Sequence, residues 1–564
     1  MKSFVKLSLM CLFITSCAVN QQSKIYWASE TPKRWNGSWS EKFQTAAEKS
    51  NFTRTASNNE ILDFFAMMKW NSENMYVYNM FTSDLRRNCP VIVMANPRVT
   101  SPREAAESGK TVVYLQGGIH PSECEGKEAL MMLIRDILIG DKKYLLDKLI
   151  ILCCPNFNVD GNESWSIQPE LPNLAGIREN ATGFDINRDA IKLETTNMQG
   201  LCRNLFNNWD PTVILDTHLL EITTTAYSIT YTTSTIPAAH PEPGKYVSEK
   251  LLPAVRKAAF QKGGIEIFTY GRVDKNSSPT LYSPERALWT TEAKFLVNAY
   301  GLRNRMAILV ETPGFESFEK RIYSQYVFAR ELLEYVYENG EQMQQICKQA
   351  DEDVVNKILN EAHTGKVKNY IAGKYESAGK ADIYAYEKLV MKYLPGTSVL
   401  QTALENPDEP PLLHKDLELL TKPVGTEQAV MPRGYLIPAD MEFIVEKLRL
   451  HNVKVDVLEK PVAATGQEYV IDKMSSIKKP GYGQYEMTIL EGEFIESPKR
   501  QFPAGTFKVD MAQPTANLAF YCLEPQVGDG FAGWRLLDDY LKKIGVNEQK
   551  IVYPIYKYFE ILEE

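Results

Sequence analysis

The chain has 564 residues, a formal charge of -8, 44% hydrophobic and 24% charged residues, and a pI near 5.6. That length exceeds what one hydrophobic core organises, so two or more folded units are expected. The acidic balance, with no Lys/Arg cluster interleaved with aromatics, argues against a nucleic-acid partner.

In chain order, Lys2 and Lys6 precede an apolar stretch from Leu7 to Ile14, followed by Ile14-Thr15-Ser16-Cys17. This predicts a secretory signal over 1–16. Its last four residues resemble a bacterial lipobox, which makes Cys17 the lipidated first residue of the mature protein; the other reading is a plain signal peptide with an incidental cysteine. No later stretch approaches the ~18 apolar residues of a membrane span. The body is therefore expected to be exported and held by lipid on Cys17 to a bacterial membrane, on its periplasmic or cell-surface face. Over 17–74, Trp27, Trp35, Trp39 and Trp70 suggest a segment packed onto the body.

From 75 to 347 strand and helix signals alternate. Thr111-Val-Val-Tyr-Leu-Gln116 leads through Gly117-Gly118 to His120; Leu149-Ile-Ile-Leu-Cys-Cys154 leads to Asn156 and Asp160; Thr212-Val-Ile-Leu215 leads to Asp216 and His218; Ala307-Ile-Leu-Val310 leads to Glu311. Short, nearly uninterrupted apolar runs of this kind read as central strands of a parallel sheet buried on both faces. Ligands bind such sheets outside the carboxyl ends of the strands, so the polar residues ending these runs converge on one edge. Ser122-x-x-Glu125 reads as a capping box, with Ala129, Leu130, Leu133, Ile134, Ile137 and Leu138 at helical spacing behind it. Helical patterns over Tyr323 to Tyr337 and Ala350 to Ala362 read as two helices.

Over 348–411 a helical segment gives way to a linker, rich in proline, asparagine and threonine from Pro395 to Pro411. The remainder, 412–564, reads as a smaller α+β accessory domain. It offers a helix at Ala439 to His451 and strand candidates at Val453 to Val457, Tyr485 to Ile489 and Leu518 to Tyr521, without a tight cluster of metal ligands. The seven cysteines beyond Cys17 have no C-x-x-C spacing, which argues against a disulfide framework; most are expected to pack as small core residues, with Cys124 a candidate reactive thiol.

His120-Pro-Ser-Glu123 sets an imidazole and a carboxylate three residues apart. That is close to one helical turn, so both can face the same side. A catalytic zinc needs three protein ligands and an open position, and His218, arriving from another strand end, is the natural third. The spacing alone is weak, since His218-Leu-Leu-Glu221 has the same form. Glu123 could instead be a carboxylate favoured by a helix dipole, and His218 a core histidine. His240, His363, His414 and His451 lack this context and read as surface or structural residues.

Five stretches then stand in order: Gly118-Ile-His-Pro-Ser-Glu123, Pro155-Asn-Phe-Asn-Val-Asp-Gly161, Arg178-Glu-Asn-Ala-Thr-Gly-Phe-Asp-Ile-Asn-Arg-Asp189, Asp216-Thr-His218 and Ile308-Leu-Val-Glu-Thr312. Together they resemble the motif set of the zinc carboxypeptidase family, the M14 metallopeptidases. The resemblance implies an α/β fold with a mixed, mostly parallel central sheet and helices on both faces. It implies one zinc per chain on His120, Glu123 and His218, Glu311 as general base, Arg178 polarising the scissile carbonyl, and Asn187 and Arg188 holding the substrate's terminal carboxylate. Zinc lowers the pKa of its water, a carboxylate can relay the proton to the leaving amine, and arginine's planar fork suits a carboxylate. The alternative for Arg178 and Arg188 is a surface ion pair, and for Asn187 a turn cap. The family's closing tyrosine could be Tyr270, Tyr282 or Tyr300, and the residues after His218 lack the usual small polar run.

The first reading is thus an exported zinc metallocarboxypeptidase acting on a peptide or cell-wall stem peptide, or a related amide. A noncatalytic cell-surface binding protein on the same scaffold is the alternative, which the joint presence of Glu311, the ligand set and two arginines disfavours. A serine hydrolase is disfavoured by the lack of a Gly-x-Ser-x-Gly elbow.

Overall fold

The computed structural model describes residues 24–562 apart from 165–175, 221, 275–279, 286–288, 394–399, 479–484 and 547. The signal segment and Cys17 lie outside the described residues. The centre of the molecule is an eight-stranded sheet built from β1 (Met75–Thr82), β2 (Asn88–Met94), β3 (Thr111–Gln116), β4 (Leu149–Cys154), β5 (Val213–Leu220), β6 (Ile229–Thr233), β7 (Ile267–Thr269) and β8 (Met306–Pro313). Their order is β1-β2-β4-β3-β5-β8-β6-β7. The four apolar runs are the parallel heart of this sheet: β4 pairs with β3, β3 with β5 and β5 with β8, all parallel. Antiparallel joins of β2 to β4 and β6 to β8 flank it, which makes the sheet mixed.

Alternation along these strands divides the interior in two. Val113, Leu115, Val213, Leu215, Ile308 and Val310 face a core shared with helices α1 (Asn58–Asn71), α2 (Glu125–Ile139) and α3 (Phe318–Glu361). Tyr114, Ile214 and Leu309 face the other, which runs through Phe206 and Leu302 into Tyr435, Leu518 and Phe520 of the C-terminal region. There, seven strands form a second sheet, dominated by the long hairpin of Val462–Lys478 and Glu486–Phe502.

Several elements differ from the sequence reading. The two expected helices after Glu311 are one helix of 44 residues, α3. Polar residues around 338–345 hide its continuity, but Gly340, Met343, Cys347, Ala350, Val354 and Ile358 are buried at helical spacing. Leu518 to Tyr521 lies in a helix, Ala516–Leu523, with every residue buried; a short apolar run carries no period that separates helix from strand. The Ser122-x-x-Glu125 capping box does not form: α2 starts at Glu125 with no side-chain cap, and Glu125 accepts a hydrogen bond from Thr312 instead. Within the expected linker, Leu400–Leu404 pairs with Leu389–Tyr393. Strands Lys380–Ala385 and Leu412–Leu419, on either side of the expected 411/412 boundary, pair with each other, and the latter also pairs with Leu281–Ser283.

In the N-terminal segment Trp35 packs against Phe52 and Tyr323 and donates to Glu319 (3.0 Å), and Trp39 lies under the Arg135 guanidinium. Trp70 is the exception, 90% exposed. The seven described cysteines are buried and unpaired by disulfides, and burial pushes the Cys124 thiol up to about 11, which makes it packing rather than a reactive group. No helix among the described residues is long and apolar enough to cross a membrane.

Candidate metal centre

The centre forms where β3, β5 and β8 end. Past Gln116 the chain turns through Gly118, whose φ of +66° favours glycine and where a Cβ would sit 3.0 Å from Asn156 Oδ1. The carbonyls of Gly117 and Gly118 accept from the Phe157 and Asn158 amides (3.0 and 2.9 Å). This ties the turn after β3 to the one after β4. A further turn, closed by Glu123 N to His120 O (2.9 Å), carries His120 and Glu123 into α2. At Gly126 a Cβ would lie 2.0 Å from Thr217 Oγ1, so only glycine lets the first turn of α2 press onto β5 and bring Glu123 against His218. On β5, Asp216 and His218 are two apart and share a face; on β8, Glu311 is in register with His218.

His120, Glu123 and His218 are buried, with ligand atoms within 4.8 Å of one another. The Nδ1 atoms of His120 and His218 each lie 2.9 Å from a different oxygen of Glu123. Their Nε2 atoms each lie 2.9 Å from an aspartate oxygen, Asp185 for His120 and Asp216 for His218. An aspartate accepting at Nε2 places the proton there and turns the Nδ1 lone pair toward Glu123. A lone pair facing a carboxylate needs a positive charge between them. With a proton as that charge, the effect is visible at His218: burial pulls its pKa down, yet Asp216 and Glu123 raise it well above the ordinary imidazole value. Likewise burial opposes ionisation of Glu123, but His120 and His218 hold its carboxyl well below the usual range. Two imidazole lone pairs, one carboxylate and an aspartate behind each ring form the donor set and outer support of a catalytic zinc site, so the residues fit the metal.

Glu311, 8% exposed, has one oxygen, Oε2, without a hydrogen-bond partner among the described residues. Burial pushes its carboxyl well above the usual range; His218 and Arg178 oppose this, while Glu123 and Glu125 add to it. Arg178 donates from Nη1 to Glu123 and from Nε to Asp185, both at 3.0 Å. Desolvation opposes ionisation of Asp185, whose side chain is 16% exposed, but Arg178, Arg188 and His120 hold its carboxyl well below the usual range. Asn187 accepts from Leu296 N through Oδ1 (3.1 Å), which leaves its amide NH2 as the donor. Arg188 donates to the Asn187 carbonyl (2.8 Å) and lies 4.7 Å over the Phe295 ring. Neither arginine is a simple surface pair. Of the three tyrosines, Tyr282 and Tyr300 donate to backbone carbonyls of Thr269 and Pro211. Tyr270 is the one beside the site: its hydroxyl is raised by burial first, then by Glu311, and lowered by Arg188.

Other polar residues at the strand ends serve the frame. Asp160 accepts from Ser83 and Arg87 (both 2.8 Å), and Asn158 caps a short helix while donating to Glu179 O (3.1 Å). Among the remaining histidines, His451 is buried against Ile191 O (2.7 Å) and His240 lies near Asp353. Asp185 and Asp216 support the histidines, a role that the motifs alone do not assign. The signal was present, because Asp216 precedes His218 by two on one strand face; Asp185 reaches His120 only through tertiary structure.

A buried two-histidine, one-glutamate centre at the carboxyl edge of a mixed α/β sheet, with a second glutamate alongside, defines a metallohydrolase. Residues 87–409 match the zinc carboxypeptidase model, peptidase M14, and the chain belongs to that family: it is a metallocarboxypeptidase. "Carboxypeptidase 2" of Trichophyton rubrum is 25% identical over 527 residues, covering 90% of this chain and 88% of that protein. "Carboxypeptidase 2" of Trichophyton equinum is 26% identical over 532 residues, with coverage of 90% and 88%. Among solved structures, the metallo-carboxypeptidase of Burkholderia cenocepacia gives a TM-score of 0.37 at 16% identity, covering 50% of this chain and 69% of that one.

Proposed function

We propose that the protein removes the C-terminal residue of peptide substrates by hydrolysis, with one zinc per chain held by His120, Glu123 and His218. Zinc at these residues supplies a Lewis acid that lowers the pKa of water and polarises a carbonyl. The observation that carries the reading is the pairing of both Nδ1 atoms with Glu123 while both Nε2 atoms face aspartates. Glu311 takes the proton of the attacking water and returns it to the leaving amine; its unbonded Oε2 is the acceptor. Burial pushes its carboxyl up, and His218 and Arg178 oppose that push. Arg178, more than a third exposed, donates to the scissile carbonyl as charge builds on its oxygen. Asn187 and Arg188 bind the substrate's terminal carboxylate, and Tyr270 borders the same space.

We also propose export and lipid anchoring through Cys17, on the strength of Lys2, Lys6, the apolar stretch and Ile14-Thr15-Ser16-Cys17; an extracytoplasmic peptide or a cell-wall stem peptide is then the substrate source. A noncatalytic scaffold gives no reason to keep the full ligand set, Glu311 and two arginines together at one sheet edge.

The test is a time course by mass spectrometry on a set of peptides with free carboxyl ends. Stepwise loss of single residues from that end, stopped by a chelator and restored by zinc, is the expected result. Internal or amino-terminal cleavage, or activity indifferent to chelation, would overturn the proposal.

A further inference from the structure

The segment 293–296 lies between the residues proposed to bind the terminal carboxylate and the C-terminal region. On one side, Leu296 N donates to Asn187 Oδ1 (3.1 Å), Phe295 lies under the Arg188 guanidinium (4.7 Å), and Ala190 N donates to Lys294 O (3.4 Å). On the other, two successive amides point into the C-terminal region: Lys294 N donates to Asp529 Oδ2 (2.8 Å) and Ala293 N to the Tyr521 hydroxyl (3.4 Å). Tyr521 in turn donates to Asp529 Oδ1, so one buried pair receives both amides and orders itself. Asp529 is 1% exposed, in a place where water does not compete for these bonds.

The same region grips the other recognition segment. Lys447 Nζ donates to Leu193 O and His451 Nε2 to Ile191 O, both at 2.7 Å, and Tyr485 stacks on Phe184 with centroids 5.7 Å apart. Asn187 and Arg188 therefore sit on a wall whose two sides are each fastened to the C-terminal region.

We infer that Asp529 and Tyr521 are positioning residues for recognition of the substrate's terminal carboxylate, acting through segment 293–296 on Asn187 and Arg188. This rests on the proposed role of Asn187 and Arg188. It gives the C-terminal region a part in the substrate site itself: its pair fixes Phe295 and Leu296, and these fix the height of the guanidinium and the direction of the Asn187 amide. Small displacements of such donors are costly, because bidentate recognition of a carboxylate depends on both bonds forming together.

The experiment uses the full-length zinc-loaded protein, an N-benzoylated dipeptide with a free carboxyl end chosen as the best cleaved of a panel of C-terminal residues, and two inhibitors, the released amino acid and its amide. For Asp529→Ala we expect KM to rise about tenfold with kcat within about threefold of wild type. The preference for the amino acid over its amide should fall by about the same factor. Tyr521→Phe should show about a threefold change in both, and Asp529→Asn, which keeps an acceptor for Lys294 N, should largely restore wild-type behaviour. Arg188→Ala is the control for the underlying reading: if it leaves the acid-over-amide preference intact, Arg188 does not bind the carboxylate and that reading fails. If Arg188→Ala abolishes the preference while folded Asp529→Ala leaves KM and the preference unchanged, the inference alone is overturned. Should Asp529→Ala not fold, an unchanged KM and preference in Tyr521→Phe overturns it instead.

Discussion

The metal-centre edge of the central sheet and the interior of the C-terminal region both bury charge, but they balance it differently. In the C-terminal region Lys557 and Glu524, both almost fully buried, meet one to one at 2.7 Å. Burial pulls both toward neutrality, Glu524 up and Lys557 down. There one cation answers one anion, so the charge balance needs no further ion. At the sheet edge Glu123, Asp185, Asp216 and Glu311 gather around two imidazoles and the guanidinium groups of Arg178 and Arg188. Carboxylates dominate there unless the imidazoles are protonated or a cation is present. Buried charge without full compensation is costly, so an edge of this kind marks a place for a metal ion, whereas a paired interior marks structure.

This contrast would break most completely at the ligands. His120→Ala and His218→Ala are expected to reduce bound zinc from about one per chain to near none and to abolish turnover, while the protein stays folded. Metal analysis beside a melting curve checks both, and a mutant still fully zinc-loaded would remove that residue from the ligand set. A smaller effect is expected one bond further out. Asp185→Asn and Asp216→Asn should weaken zinc binding by about 10- to 100-fold, the usual cost of losing a carboxylate behind a ligating imidazole; competition with a chelator of known affinity measures it, and unchanged affinity would make these aspartates incidental neighbours.

The C-terminal region should respond through stability and leave the metal untouched. Burial, with Arg303 beside it, holds the His451 imidazole down at about 3. The unfolded chain therefore takes up a proton near the ordinary value of about 6.5 that the folded chain refuses. The contribution is therefore complete above pH ~6.5 and is lost progressively as pH falls toward about 3, by a few kcal/mol at most. His451→Gln can retain the hydrogen bond to Ile191 O without titrating. Its melting temperature should fall less than the wild type's over that window, at equal zinc content, and parallel pH profiles would contradict the assignment.

How far these regions could be read beforehand follows from where their information lies. His120, Glu123, Asp216, His218 and Glu311 each end or follow an apolar run, which announces each residue locally, and the parallel heart of the sheet is legible for the same reason. Asp529, Tyr521, His451 and Tyr485 act on segments far away in the chain, more than 200 residues in the cases of Ala293, Lys294 and Ile191. No local pattern can express such contacts. The 44-residue helix α3 was divided because its polar middle outweighs a narrow buried stripe. The strand pairing across the expected 411/412 boundary was hidden because proline and asparagine between strands resemble a linker.

Glu311 gives the most direct test, since a base and a ligand fail in different ways. Zinc content and peptide turnover should be measured on the same preparation of Glu311→Gln, which keeps size and hydrogen bonding but not the proton acceptor. A general base at Glu311 predicts about one zinc per chain, KM near wild type and turnover reduced at least ~100-fold, the scale of general base catalysis. Full turnover in that zinc-loaded mutant would contradict it.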